Sequence, residues 1–332
     1  MGWSGGLTQN SAIGSKILFT PDASGEGEYE VASFTAPRKG VYRFELKGSG
    51  GTTAIADGGN GGMTDGYLLL EKDEKVFVGA GGTCSAAFVS YGSGAKLSDI
   101  ARDSLLFVAG AGGAGGSCGN TYVDQVWMTG GGNGGGTSGT DAGDGGRGAT
   151  QNAGGVGYGN KADGTLPGNG AYGVGGDRGS DLELSLGWAY GGRGGDGYFG
   201  GGGGAADAST NSLTGWNAMF GFGGGGGSGY VKNAVLNVLD KTYMSDTRIG
   251  AGAKSGERGS VQVTYYARAE LPIRFDSAIV ERLFFNGTEI GSLVFNGVKL
   301  FMRRWMRCLQ YPGERSACRA ATRESFLSAW TA

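Results

Sequence analysis

Apolar and polar residues alternate through Val41-Tyr42-Arg43-Phe44-Glu45-Leu46-Lys47, as they do in a strand with one buried face, and the alternation returns at Val261-Gln262-Val263-Thr264-Tyr265. Gly66 to Leu70, Lys75 to Val78, Ala87 to Tyr91 and Leu105 to Val108 also read as short strands. Together they predict an antiparallel β-sandwich. Its last strand lies far along the chain from the others, so the stretch from about 110 to 259 is expected to be an insertion into the sandwich.

Inside that insertion the period changes from two to three. Glycines recur at Gly110, Gly113, Gly116 and Gly119, at Gly170, Gly173, Gly176 and Gly179, and from Gly191 through Gly194, Gly197 and Gly200 to Gly203. Gly221, Gly224 and Gly227 continue the pattern, and two further runs hold register through an alanine, Gly136 to Gly148 across Ala142 and Gly250 to Gly259 across Ala253. Neither α-helix nor strand has this period, whereas the left-handed polyproline II conformation has three residues per turn and no internal hydrogen bonds. The pattern predicts extended glycine helices packed side by side, close enough for backbone groups to bond between neighbours. In such a bundle the interior glycines, Gly113, Gly194 and Gly224 among them, are close-packing residues.

After the closing strand the pattern changes again. Leu283-Phe284-Phe285-Asn286-Gly287 is echoed by Leu293-Val294-Phe295-Asn296-Gly297, and Asn-Gly between apolar residues marks a two-residue hairpin turn. The expected organisation is a sandwich from 1–109 and 260–272, a glycine-rich bundle with aromatic loops at 110–259, and a β-hairpin meander with a basic tail at 273–332.

Composition narrows the class. The chain has 332 residues, of which 75 are glycine, yet 39% are hydrophobic and 11% aromatic, more than a solvated linker carries. Collagen is excluded by only 5 prolines and by register slips between runs. A formal net charge of −2 gives no global preference for nucleic acid, no apolar run reaches the length of a membrane span, and Met1-Gly2-Trp3-Ser4 does not read as a secretory leader. A chain that binds no nucleic acid and does not insert into membranes is expected.

The absence of histidine removes the commonest general base and most zinc sites. Asp141 with Asp144, and Asp177 with Asp181, are carboxylate pairs, but they sit in polar glycine-rich segments where such groups are ordinarily solvated, so no enzyme and no cofactor is expected. Gly191 to Phe199 fits one calcium-binding nonapeptide, an architecture that needs stacked tandem copies. Cys84 and Cys118 near the glycine region, and Cys308 and Cys318 in the tail, are compatible with two local disulfides and equally with buried free thiols.

The informative residues lie between the glycine runs. Asn120 to Thr129 carries Tyr122 and Trp127, Thr150 to Asn169 carries Tyr158, Ser180 to Tyr190 carries Trp188, Ala205 to Phe220 carries Trp216 and Phe220, and Tyr230 to Ile249 carries Tyr243. If each glycine run is a rod, these segments are end loops, and loops rich in Trp, Tyr, Asn and Asp on a rigid scaffold have the composition of a recognition surface. The competing role for the same aromatics is to seal the ends of the bundle.

The order of these motifs resembles a known module. Phe34-Thr35-Ala36-Pro37, then Gly40-Val41-Tyr42-Arg43-Phe44-Glu45-Leu46-Lys47-Gly48, then Val76-Phe77-Val78-Gly79-Ala80-Gly81-Gly82 and Leu106-Phe107-Val108-Ala109-Gly110 are similar to the glycine-rich module of bacteriophage tail-fibre proteins and tip adhesins. The same module resembles the extracellular region of anaplastic-lymphoma-kinase-type receptors. The resemblance covers roughly residues 30 to 266 and implies a jelly-roll-like sandwich carrying a lattice of polyglycine II helices. The Phe-Asn-Gly pair resembles repeats near the C-termini of phage tail proteins, which favours the virion setting. By resemblance, the chain is a virion protein of the tail or fibre that binds a bacterial surface receptor, an outer-membrane protein or a glycan. It would also contact other tail proteins or copies of itself, as in a trimer, and receptor contact falls on the intervening segments. A purely structural virion component and a polysaccharide depolymerase are the alternatives.

Overall fold

The computed structural model describes residues 3–120, 125–159, 166–179, 181–184, 187–210, 217–232 and 246–268, with four short strands between 273 and 301. The chain divides into two compact units, Met1–Ala269 and Glu270–Ala332.

The first unit is mainly β. Its strands are β1 (Trp3–Ser4), β2 (Lys16–Phe19), β3 (Tyr29–Thr35), β4 (Gly40–Lys47), β5 (Met63–Leu70), β6 (Lys75–Gly81), β7 (Ala87–Ser90) and β8 (Leu105–Ala109). These are followed by β9 (Ser117–Asn120), β10 (Gln125–Met128), β11 (Leu182–Leu184), β12 (Gly187–Tyr190), β13 (Ala206–Thr210), β14 (Asn217–Gly221), β15 (Tyr230–Val231), β16 (Asp246–Arg248) and β17 (Ser260–Arg268). Two antiparallel sheets, ordered β1-β2-β17-β4-β5-β16 and β15-β8-β7-β6-β3, share one core, consistent with a β-sandwich.

Alternation explains that core. Tyr42, Phe44 and Leu46 of β4, Leu68 and Leu70 of β5, and Val261, Val263 and Tyr265 of β17 are all buried, and Phe44 meets Phe34 of the opposite sheet edge to face at 6.0 Å. The closing strand β17 lies between β2 and β4, with Val263 opposite both Ile17 and Phe44. The strand that follows the glycine-rich stretch thus joins the same sheet as the strands that precede it.

The glycine runs bond sideways, and their partners recur every third residue. Gly224 and Gly227 N–H donate to Ala114 and Ala111, Gly132 and Gly135 donate to Gly224 and Gly227, Gly146 and Ala149 donate to Gly223 and Gly226, and Gly192 and Gly195 donate to Phe222 and Gly225. Gly225 donates to Gly202 and Gly226 to Thr140. The run 222–228 is thus enclosed by six segments: 111–116, 130–135, 139–142, 145–149, 191–196 and 200–205. Successive peptide groups point in different directions around the run and return to the same neighbour after three residues, which accounts for the triplet in the sequence. Gly48 to Gly62 also takes part, with Gly59 N–H on Gly113 and Gly62 N–H on Gly110, so the glycine network begins before residue 110.

A buried carboxylate ties these runs to the sandwich. Asp196, 1% exposed, accepts the Gly175 N–H and an Arg193 N–H at 2.7 Å each and the Tyr29 hydroxyl at 2.9 Å, while its own N–H donates to Cys84. Every oxygen of this side chain is engaged within the protein, so the calcium nonapeptide that contains it works here as a structural latch. Cys84 and Cys118 are buried free thiols rather than a bridge, while Cys308 and Cys318 lie outside the described residues.

In the second unit β18 (Ile273–Phe275) pairs with β19 (Ala278–Val280), and β20 (Ser292–Phe295) with β21 (Val298–Phe301), both antiparallel. Phe295 is registered with Val298, and Asn296-Gly297 lies outside the described residues. The companion Phe285-Asn286-Gly287 lies outside the described residues.

Candidate functional site

The runs have two ends of different character. At one end they join or touch sandwich strands: Lys47 leads into Gly48, Ala109 into Gly110, and Gly229 into β15. Aromatics at the turns on this side are packing groups. Tyr172, Tyr198 and Tyr230 pack on the sandwich cluster of Phe88, Leu97, Ile100 and Leu105, with Tyr198 and Tyr230 stacked at 4.2 Å. Sealing the bundle is therefore the role of these residues. The two ends of the Tyr230 to Ile249 segment belong here too, since β15 pairs with β8 and β16 with β5, while 233–245, Tyr243 among them, lie outside the described residues.

At the other end three intervening segments converge. Strands of Asn120 to Thr129, Ser180 to Tyr190 and Ala205 to Phe220, together with β9 at the end of the preceding glycine run, make two small sheets, ordered β11-β12-β9 and β10-β14-β13. All pairings are antiparallel except β10 with β14. Alternation places Cys118, Ala189, Ala206 and Met219 in a small shared core, with Met128 and Leu182 against it. One position away, Trp127 is exposed and Trp188, Tyr190 and Phe220 are half-buried.

The two outward faces differ. On the sheet of β10, β14 and β13, Trp127 is registered directly with Phe220 and is 57% exposed. Phe220 stacks on Phe222 at 6.0 Å, and Tyr158, 45% exposed, meets Phe222 edge to face at 6.1 Å. Arg147 lies 5.4 Å from the Tyr158 ring and is ion-paired to Asp141 at 2.9 Å. On the sheet of β11, β12 and β9, Trp188 and Tyr190 stack at 4.9 Å, and the indole lies over Gly119, where a Cβ would stand 2.7 Å from the ring. The Tyr190 hydroxyl donates to Glu183 at 3.1 Å, a bond that, with some loss of hydration, raises its pKa. Arg178 sits 5.9 Å from the same ring and pairs with Asp181 at 3.2 Å.

No protein-family model matches the chain, and no curated protein matches it.

Of the residues expected to form a recognition surface, Trp127, Tyr158, Phe220 and Trp188 come to this one end, while Tyr122 and Trp216 lie outside the described residues. Tyr190, Glu183, Arg178 and Phe222 join them without having been singled out. The signal was available for two of them, because Tyr190 and Phe222 follow Trp188 and Phe220 by the strand period of two. Of the carboxylate pairs, Asp141 is engaged by Arg147 and the Gly148 N–H, and Asp181 by Arg178. Among the described residues no group of three or more His, Cys, Asp or Glu side chains gathers as a metal site, and no helix is long and apolar enough to cross a membrane.

Proposed function

We propose that this chain is a bacteriophage tail-fibre or tail-tip protein that attaches to a receptor on the bacterial surface through the end of its glycine lattice. In this reading the runs are polyglycine II helices carried on a jelly-roll-like sandwich, and the chain is a non-enzymatic component of the virion tail. The observation that carries it is the convergence of three aromatic segments, distant in sequence, into one small two-sheet tip at the end of a densely hydrogen-bonded scaffold. A scaffold held by backbone bonds on many sides fixes the tip without a large apolar core of its own. Exposed aromatics with a polar rim on such a rigid mount are what a binding hot spot requires, because little side-chain freedom is lost on contact.

The glycine scaffold alone is equally suited to a purely structural fibre component, and adsorption separates the two. Purified protein should capture host cells, and Trp127→Ala, Trp188→Ala or Trp216→Ala should weaken capture at least tenfold in one or more cases without loss of fold, a change of about 1.4 kcal/mol. Unchanged capture in all three, or no capture by intact protein, leaves the structural role as the better reading.

A further inference from the structure

The adhesion reading does not say what chemistry the tip contacts, and one face of it is specific enough to name the class. Beside the sheet of β11, β12 and β9 a cleft of about 110 Å³ runs from Tyr190 down the glycine runs toward the N-terminal loops. Its floor is backbone and methyl groups of 114–115 and 191, so the walls alone set its chemistry. Those walls carry one aromatic ring, Tyr190, two guanidinium groups, Arg178 and the Asp196-paired Arg193, one carboxylate, Glu26, and the hydroxyls of Thr52 and Ser117.

The ring is held in place from three directions. Trp188 stacks on it, Glu183 takes its hydroxyl, and the Arg178 guanidinium lies over it at 5.9 Å from the ring centre. A fixed aromatic surface surrounded by planar charged groups and short hydroxyls complements a pyranose, which has an apolar C–H face and a circumference of hydroxyls that both donate and accept. A protein loop would need a pocket for an apolar side chain, and the walls here offer hydrogen-bonding groups instead. We propose that this cleft holds a sugar residue of a bacterial surface glycan, with Tyr190 against the ring face and Arg178 and Glu26 on its hydroxyls. The proposal rests on the adhesion reading and names the substrate class of that same tip.

The test uses the full chain and a printed panel of purified lipopolysaccharides, capsular polysaccharides and wall polysaccharides, with cell capture measured in parallel. Intact protein should bind at least one polysaccharide. Tyr190→Ala and Arg178→Ala should each weaken that binding at least tenfold, Ile13→Ala at an exposed N-terminal position should leave it unchanged, and periodate oxidation of cells should reduce their capture. Arg178 is half exposed in its side chain, so its variant should melt with wild type and serve if Tyr190→Ala does not fold. No binding to any polysaccharide, or binding that survives both cleft variants, overturns the proposal. Cell capture that resists periodate also overturns it while leaving adhesion standing. Cleft-dependent polysaccharide binding with no cell capture does the reverse.

Discussion

Replacing Gly224 by alanine adds one carbon, and the structure allows its effect to be worked out. An ideal Cβ there would stand 2.1 Å from the Arg193 carbonyl oxygen and 2.4 Å from its carbon. Both are backbone atoms, so no rotamer change relieves the clash, and runs 191–196 and 222–228 must part by about 1 Å to reach van der Waals distance. Two bonds join these runs, Gly192 N–H to Phe222 at 2.8 Å and Gly195 N–H to Gly225 at 2.9 Å, and both would be stretched beyond useful range. Each lost bond costs about 1 kcal/mol net, and each buried partner left unsatisfied about 1–3 kcal/mol more. With two bonds lost and one buried partner of each left stranded, the expected destabilisation is about 4–8 kcal/mol, a large part of the 5–15 kcal/mol typical of a whole domain. Gly113→Ala and Gly194→Ala should behave alike, since their Cβ atoms would meet Gly224 and Gly201 oxygens at 2.0 and 2.1 Å. Gly6→Ala is the control, with nothing within 4 Å. Guanidinium unfolding curves on the four variants measure the differences. If the three lattice variants fall within about 1 kcal/mol of Gly6→Ala, the runs are not the close-packed scaffold inferred here.

Asp196→Ala should destabilise by about 3–5 kcal/mol, because it strands a largely buried Arg193 guanidinium; calorimetry showing no loss would remove its role as a latch. Burial pushes the Cys84 thiol up to about 12 and raises that of Cys118, so peptide mapping should find both alkylated at pH 8 only after denaturation. The same shift makes the folded state hold the Cys84 proton more tightly than the unfolded chain does. Its contribution is full below about pH 9 and is lost as pH rises toward 12, by about 1.4 kcal/mol per unit, which unfolding curves against pH will show or refute. A chain ending after Ala269 should fold and melt as the first unit does, yet fail to enter particles; normal incorporation would show that Glu270–Ala332 is not needed for assembly.

What was legible in the sequence follows from which periodicities are local. β4 and β17 were readable because one face of each is buried and the other is not, whereas β3 blurs the alternation with Ala32 and Ser33 in its middle. The triplet was readable because hydrogen-bond partners recur every third residue, and glycine is required wherever a neighbouring carbonyl stands about 2 Å from the Cβ position. The tip was only half legible. Its aromatics could be picked out, but β9 and β12 contain glycines that interrupt alternation, and Gly119 is glycine because the indole of Trp188 lies over it from a strand far along the chain. The sheet that joins β9 to β12 is set by where the glycine runs deliver their ends, and that information belongs to no single segment. Changing the length of one run should therefore displace a tip strand that retains its own sequence unchanged. An inserted Gly-Gly-Gly triplet would keep the hydrogen-bond directions and shift the strand by one repeat, while a single inserted glycine would also rotate every partner to the wrong neighbour. The glycine scaffold is in this sense the ruler that sets register at the tip, so outward side chains there are free to vary as long as changes in run length come in multiples of three.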